Sequence, residues 1–274
     1  MKTTFIGAGS MAEAIISGAL ENGALKKEEV YATNHSNKNR LQQLEELYGI
    51  GTGYELAELL KESEVIILAM KPKDAEAGLK MIRPYVSSSS LVISVLAGIP
   101  IHFIERELGT ACAVIRAMPN TSAAVSKSAT GIALNEHVTD EQKQIALALF
   151  SSIGMAKIVD EQQLDAVTGL SGSGPAYIYY VVEAMEKAAE EIGLEKEVSK
   201  PLIIQTLLGA AEMLSVSDGK ARELRKAITS PGGTTEAGIK VLEDHKIQET
   251  FIECIKEATA QSKRLGAPYQ KVTN

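Results

Sequence analysis

Cysteine is scarce in this chain. Cys112 and Cys254 stand far apart, form no metal-like pair and fit a reducing cytosol rather than a disulfide framework. The histidines are few and scattered: His35, His102, His137 and His245 show no ligand spacing, so no metal site is expected. No uninterrupted apolar run is long enough to span a bilayer, and the first residues lead straight into a strand without a signal-peptide pattern. A cytoplasmic location with no membrane partner is the expectation. Positive charge is in deficit as well, the net charge of −7 arguing against a nucleic-acid partner and favouring solubility. What remains is a globular composition, 45% hydrophobic and 23% charged, in 274 residues that suffice for two domains and a substantial core.

The stretch Thr3-Thr4-Phe5-Ile6-Gly7-Ala8-Gly9-Ser10-Met11-Ala12 reads as a short apolar strand entering a glycine turn that opens a helix. Gly7 permits the tight turn, Gly9 lets backbone approach a pyrophosphate, and Ala12 is small enough for the helix to pack on the strand. The helix N-terminus, with its unpaired N–H groups and partial positive charge, would face the phosphates. A Gly-x-Gly-x-x-Ala string also arises in ordinary strand–turn–helix units. Its place between a credible strand and a helix ending near Asn22-Gly23 favours a dinucleotide-binding loop.

Further strands are expected at residues 30–34, 65–69, 91–95, 113–117, 129–134 and 156–159, with helices at 12–20, 40–48 and 56–61. One more helix begins near Thr139, with Gln142 completing a capping box. Strands alternating with helices imply a doubly wound, mainly parallel sheet, and hence an α/β first domain over residues 1–160. Where an NAD-binding unit commonly ends its second strand in a carboxylate, this chain has Asn34, followed by His35, Ser36, Asn37, Lys38, Asn39 and Arg40. Neutral donors and two cations suit a 2′-phosphate, so NADPH is expected over NADH, the alternative being a solvated polar loop. The strand ends at Ala69-Met70-Lys71-Pro72 and Val95-Leu96-Ala97 lie at the carboxyl edge, where ligands bind open α/β sheets.

After Asp160 the periodicity is helical, and residues 161–274 read as an all-helical second domain. Short helical character at 164–170 precedes Ser171-Gly172-Ser173-Gly174-Pro175, and Pro175 suits a first helical turn. The helices expected at 175–192 and 197–214 carry so much apolar surface, including Leu202, Ile204 and Leu208, that burial against a second subunit is expected. A helix at 220–228 leads to Thr229-Ser230-Pro231-Gly232-Gly233-Thr234-Thr235. Adjacent glycines ahead of a helix let backbone N–H groups converge on a small carboxylate. Thr234 and Thr235 either cap that helix or turn a hydroxyl to a ligand; local sequence leaves both readings open.

Phe5-Ile6-Gly7-Ala8-Gly9-Ser10-Met11-Ala12, Ala69-Met70-Lys71-Pro72, Arg116-Ala117-Met118-Pro119-Asn120, Gly169-Leu170-Ser171-Gly172-Ser173-Gly174-Pro175-Ala176-Tyr177 and Ser230-Pro231-Gly232-Gly233-Thr234-Thr235 follow one another in that order. Over nearly its whole length the chain thereby resembles the pyrroline-5-carboxylate reductases. The resemblance implies a Rossmann-type domain followed by a helical dimerisation domain. It also implies reduction of Δ1-pyrroline-5-carboxylate to L-proline with NADPH or NADH, the last step of proline biosynthesis. Homodimers are implied as the unit, in some members five to a ring.

By position, Gly7, Ala8, Gly9, Ser10 and Met11 would hold the pyrophosphate, and Asn34 and Ser36 the adenosine ribose side. Ala69, Met70, Lys71, Pro72, Val95, Leu96 and Ala97 would flank the ribose and nicotinamide. Gly232, Gly233 and Thr234 would bind the substrate carboxylate, with Pro175 and Ser230 nearby, and the catalytic Thr235 hydroxyl would meet the ring nitrogen. One departure stands out: where many relatives carry a cofactor-touching asparagine, this chain reads Gly53-Tyr54-Glu55-Leu56. Because the imine carbon is already electrophilic, orientation is the protein's main task, which accords with the lack of a strong catalytic base. The rival readings are a β-hydroxyacid dehydrogenase-like NADP oxidoreductase, whose catalytic lysine setting is not found, and a non-catalytic NADP-sensing module.

Overall fold

A computed structural model describes residues 1–270, in two compact units: Met1–Pro175 together with Lys256–Asn274, and Ala176–Ile255. The first unit begins β1 (Thr3–Ile6), α1 (Ser10–Glu21), β2 (Val30–Thr33), α2 (Lys38–Tyr48), β3 (Gly51–Thr52), α3 (Leu56–Leu59), β4 (Val65–Leu68) and α4 (Ala75–Ile82). It continues through β5 (Leu91–Ser94), α5 (Ile101–Leu108), β6 (Ala113–Met118), β7 (Ser128–Leu134), α6 (Asp140–Ser152), β8 (Gly154–Ile158) and α7 (Leu164–Val167). The strands form one sheet in the order β3-β2-β1-β4-β5-β6-β7-β8. Strand order reverses between β1 and β4, the kind of switch point at which open α/β sheets leave a crevice.

The apolar runs of β1, β4 and β5 are buried on both faces because successive side chains alternate across the sheet. Phe5, Ile67, Ile93 and Ile115 point into one layer with Ile15, Ile16, Leu44 and Phe150. Ile66, Leu68, Val92 and Val114 point into the other with Leu79, Ile82 and Ile104. The doubly wound, mainly parallel sheet is therefore as expected, with one antiparallel pair, β6 with β7. Their link, residues 119–127, holds only a 3-10 turn and is too short for the crossover that a parallel partner needs. The Thr139–Gln142 capping box forms in both directions, at 3.2 and 3.0 Å.

The first compact unit runs through Pro175, past the change of periodicity at Asp160. Packing on the sheet explains the extension. A Cβ on Gly131 would stand 2.9 Å from Val167, Leu164 is fully buried, and Asn120 Nδ2 donates to the Ser171 carbonyl at 2.9 Å. The helical character at 164–170 resolves into α7 and a π-helical turn, Thr168–Gly172.

The helices of the second unit are α8 (Gly174–Glu191), α9 (Lys196–Val216), α10 (Ala221–Ala227), α11 (Thr234–Asp244) and the start of α12 (Ile247–Gly266), whose last residues belong to the first unit. Ala189 and Ile203 are buried, whereas Ile178, Tyr180, Leu202, Ile204 and Leu208 are exposed in the single chain. Among the described residues no helix is long and apolar enough to cross a membrane.

Candidate active site

Three backbone hydrogen bonds continue the sheet ladder beyond the strands: Gly7 N–H to the Thr33 carbonyl (2.9 Å), Ala69 N–H to Ile6 (2.8 Å) and Val95 N–H to Leu68 (3.0 Å). They bring Gly7, Asn34, Ala69 and Val95, with the residues that follow each, to one carboxyl edge of the first unit. Gly7 adopts φ +116°, and an added Cβ would lie 2.4 Å from the Ala69 carbonyl carbon and oxygen. Gly9 is the N-cap of α1 and supplies no side-chain cap; a Cβ there would meet nothing within 4 Å. Ser10 is exposed beside it, and Ala12 is fully buried. Space in front of Gly9, together with uncapped helix N–H groups, fits the pyrophosphate of a dinucleotide.

Asn34 serves the loop it begins. Its Nδ2 donates to the Asn37 carbonyl and its Oδ1 accepts from Asn37 N–H, both at 2.8 Å, while the Tyr54 hydroxyl donates to the same oxygen at 3.2 Å. Asn37 in turn caps α2 through Arg40 N–H at 3.0 Å. Ser36 and Lys38 are exposed. Arg40, counted from sequence among the cations for a 2′-phosphate, is committed elsewhere. Its Nε donates to the Ala8 carbonyl at 2.9 Å, one Nη pairs with Glu13 at 2.5 Å and the other with Gln43 at 2.7 Å. A guanidinium is a planar fork, and the three acceptors engage it from the glycine loop, α1 and α2. Nothing in the local sequence pattern signalled the Glu13–Arg40 pair, because its members lie on different helices.

Of the two strand-end loops, Met70 packs its methyl group toward Gly78 of α4, Lys71 is exposed and Pro72 half-buried. Val95 and Leu96 are buried and Ala97 half-buried. Leu96 N–H donates to Ser94 Oγ at 3.3 Å.

In the second unit, Ser230 opens a turn closed by Gly233 N–H to the Ser230 carbonyl at 3.0 Å. Gly232 takes φ +72° at its third position, with no atom within 4 Å of an added Cβ. The N-cap of α11 is Gly233, without a side-chain cap, so Thr234 and Thr235 occupy the first helical positions and neither caps the helix. Gly232 N–H is held by Glu236 Oε2 at 2.8 Å. A surface hollow of about 550 Å³ is lined by Gly232, Gly233 and Glu236 together with Arg225, Lys226 and Lys240. Pro175 is the second residue of α8 and half-buried.

Residues 161–265 match the family model described as pyrroline-5-carboxylate reductase dimerisation, and residues 2–98 one described as NADP oxidoreductase coenzyme F420-dependent. The chain is 50% identical over 261 residues to pyrroline-5-carboxylate reductase 2 of Bacillus subtilis, covering 95% of this chain and 94% of that one. The chain belongs to the pyrroline-5-carboxylate reductases. Two solved structures of pyrroline-5-carboxylate reductases resemble it along nearly its whole length. The Plasmodium falciparum enzyme, with NADP bound, gives a TM-score of 0.89 at 32% identity, covering 97% of this chain and 98% of its own. The Coxiella burnetii enzyme gives 0.86 at 38%, covering 96% and 98%. Relative to the asparagine expected for pyrroline-5-carboxylate reductases between β3 and β4, this member places the Tyr54 hydroxyl on Asn34.

Proposed function

We propose that the protein reduces Δ1-pyrroline-5-carboxylate to L-proline with NADPH, closing proline biosynthesis. The observation that carries this reading is the match to pyrroline-5-carboxylate reductases over 95% of the chain. A nicotinamide cofactor, when bound, supplies the hydride that the electrophilic imine carbon accepts. The protein's own residues bind and orient. Backbone N–H groups behind Gly9, through Ser10 and Met11, take the pyrophosphate. Ser36 and Lys38 face the 2′-phosphate, which a carboxylate at Asn34 would repel. Residues 69–72 and 95–97 flank the ribose and nicotinamide. The N–H groups of Gly232, Gly233 and Thr234 receive the substrate carboxylate, with Ser230 and Pro175 shaping the surroundings. Since Glu236 holds Gly232 N–H, the substrate carboxylate takes that donor only by replacing a side-chain carboxylate of the same chemistry.

The Thr235 hydroxyl hydrogen-bonds the ring nitrogen and, as the carbon takes the hydride, helps deliver the proton that the nitrogen gains, directly with reprotonation of the hydroxyl from water or through a water molecule that supplies it. Its place in the first turn of an uncapped helix supports this role over capping. Thr235→Ala is expected to keep the wild-type melting temperature and lose at least about tenfold in kcat/KM. An unchanged kcat/KM would remove Thr235 from the reaction. NADPH oxidation that depends on pyrroline-5-carboxylate tests the function itself, and parallel NADH and NADPH titrations test the cofactor preference. A crystal structure with NADP and a proline analogue checks which backbone N–H groups each ligand takes.

The division proposed is a dinucleotide-binding domain over 1–160 and a dimerisation and substrate-binding domain over 161–274. The homodimer, and its assembly five to a ring, belong to the same proposal, with the dimerisation-domain match and the exposed apolar helices in support. Two unpaired cysteines support a cytoplasmic setting.

A further inference from the structure

Ser262 and Gly266, one helical turn apart near the end of α12, are buried, whereas the other residues of that helix are exposed or half-buried. Gly266 lies backbone to backbone against Gly98: a Cβ on Gly266 would stand 2.5 Å from the Gly98 carbonyl oxygen, and one on Gly98 would stand 3.0 Å from Gly266 N. Gly98 holds φ +75° in that contact. One helical turn earlier, Ser262 is 3% exposed and donates its hydroxyl to Asp165 Oδ1 at 2.6 Å. The helix passes into a 3-10 turn, Ala267–Tyr269, in which the Tyr269 hydroxyl donates to the Pro72 carbonyl at 3.1 Å. The Tyr269 ring stands edge-on to Phe103 of α5, with centroids 4.9 Å apart.

Two of these four contacts land on backbone of the carboxyl-edge loops, Pro72 after β4 and Gly98 after β5, while the other two fall on Asp165 of α7 and Phe103 of α5. Loops of this kind open more readily than the strands they leave, and tethering them in one arrangement removes the ordering cost from ligand binding. We propose that the C-terminal turn fixes the two loops flanking the nicotinamide, with Gly266 and Tyr269 as positioning residues for that half of the cofactor. This rests on the cofactor reading above.

Titration calorimetry with two probes tests it: NADPH, and adenosine 2′,5′-bisphosphate, which carries the adenine end only. Tyr269→Phe keeps the ring on Phe103 and removes one hydrogen bond. It is expected to raise the NADPH Kd about two- to tenfold while leaving the bisphosphate Kd unchanged. Gly266→Ala, whose methyl would push on Gly98, is expected to raise the NADPH Kd further with the same selectivity. An unchanged NADPH Kd in both variants overturns the proposal, as does parallel weakening of both probes, which marks a general loss of stability. Wild-type protein that binds neither probe overturns the cofactor reading and this inference with it. Normal wild-type binding with unselective variants overturns this inference alone.

Discussion

Gly7 and Gly9 stand two residues apart and answer to different constraints. At Gly7 the torsion of +116° and a backbone neighbour 2.4 Å from an added Cβ leave nothing free to move aside. Gly7→Ala is expected to destabilise the fold by about 2–5 kcal/mol in urea unfolding. Gly9 has ordinary torsions and open space before it. Gly9→Ala is expected to change stability by no more than about 0.5 kcal/mol while raising the NADPH Kd, because the methyl enters the volume proposed for pyrophosphate. Cys112 adds a pH prediction. Burial, reinforced by the charge of Glu105, pushes its thiol up to about 11 from an ordinary value of 9.0. Between those values the unfolded chain has lost the proton and the folded chain keeps it, so stability falls as pH rises through that window. Melting curves from pH 8 to 11 should fall less steeply for Cys112→Ala than for wild type.

Between elements, the Glu13–Arg40 pair joins the first turn of α1 to α2 while Arg40 also holds the Ala8 carbonyl. Tyr48 donates its hydroxyl to the other Glu13 oxygen at 3.1 Å, and burial raises the Tyr48 pKa, keeping it a donor. Glu13 favours the α1 N-terminus by charge, yet an unpaired carboxylate there would oppose a pyrophosphate; Arg40 cancels that opposition. Arg40→Met is expected to cost about 1–2 kcal/mol of stability, since both side chains are partly exposed. It should weaken NADPH and NADH alike. An Arg40 that selected the 2′-phosphate would instead change the ratio of the two Kd values, and the same titrations separate the outcomes.

For the molecule as a whole, the second unit leaves Leu202 and Leu208 of α9 more than half exposed in the single chain. Faces of this kind are covered by association, and the proposed partner is a second copy. Sedimentation velocity on the wild type should report at least twice the chain mass. Leu202→Lys with Leu208→Lys should shift it toward the monomer and lower the melting temperature. A wild-type monomer at micromolar concentration would count against the dimer.

Much of this protein was readable residue by residue. The buried strands announced themselves as unbroken apolar runs, the glycine loop as a strand, turn and helix, and the start of α6 as a capping box, because these depend on torsions and periodicity among near neighbours. β3, α4 and α5 were not among the expected elements, although α4 and α5 each carry an amphipathic face over two turns. The commitment of Arg40 to Glu13, the Tyr54 hydroxyl on Asn34, Gly233 rather than a threonine as the cap of α11, and the meeting of Gly98 with Gly266 were decided only by tertiary structure. Each depends on which atoms folding brings within about 3 Å, and chain order carries no record of a distance between residues 197 positions apart, as Pro72 and Tyr269 are.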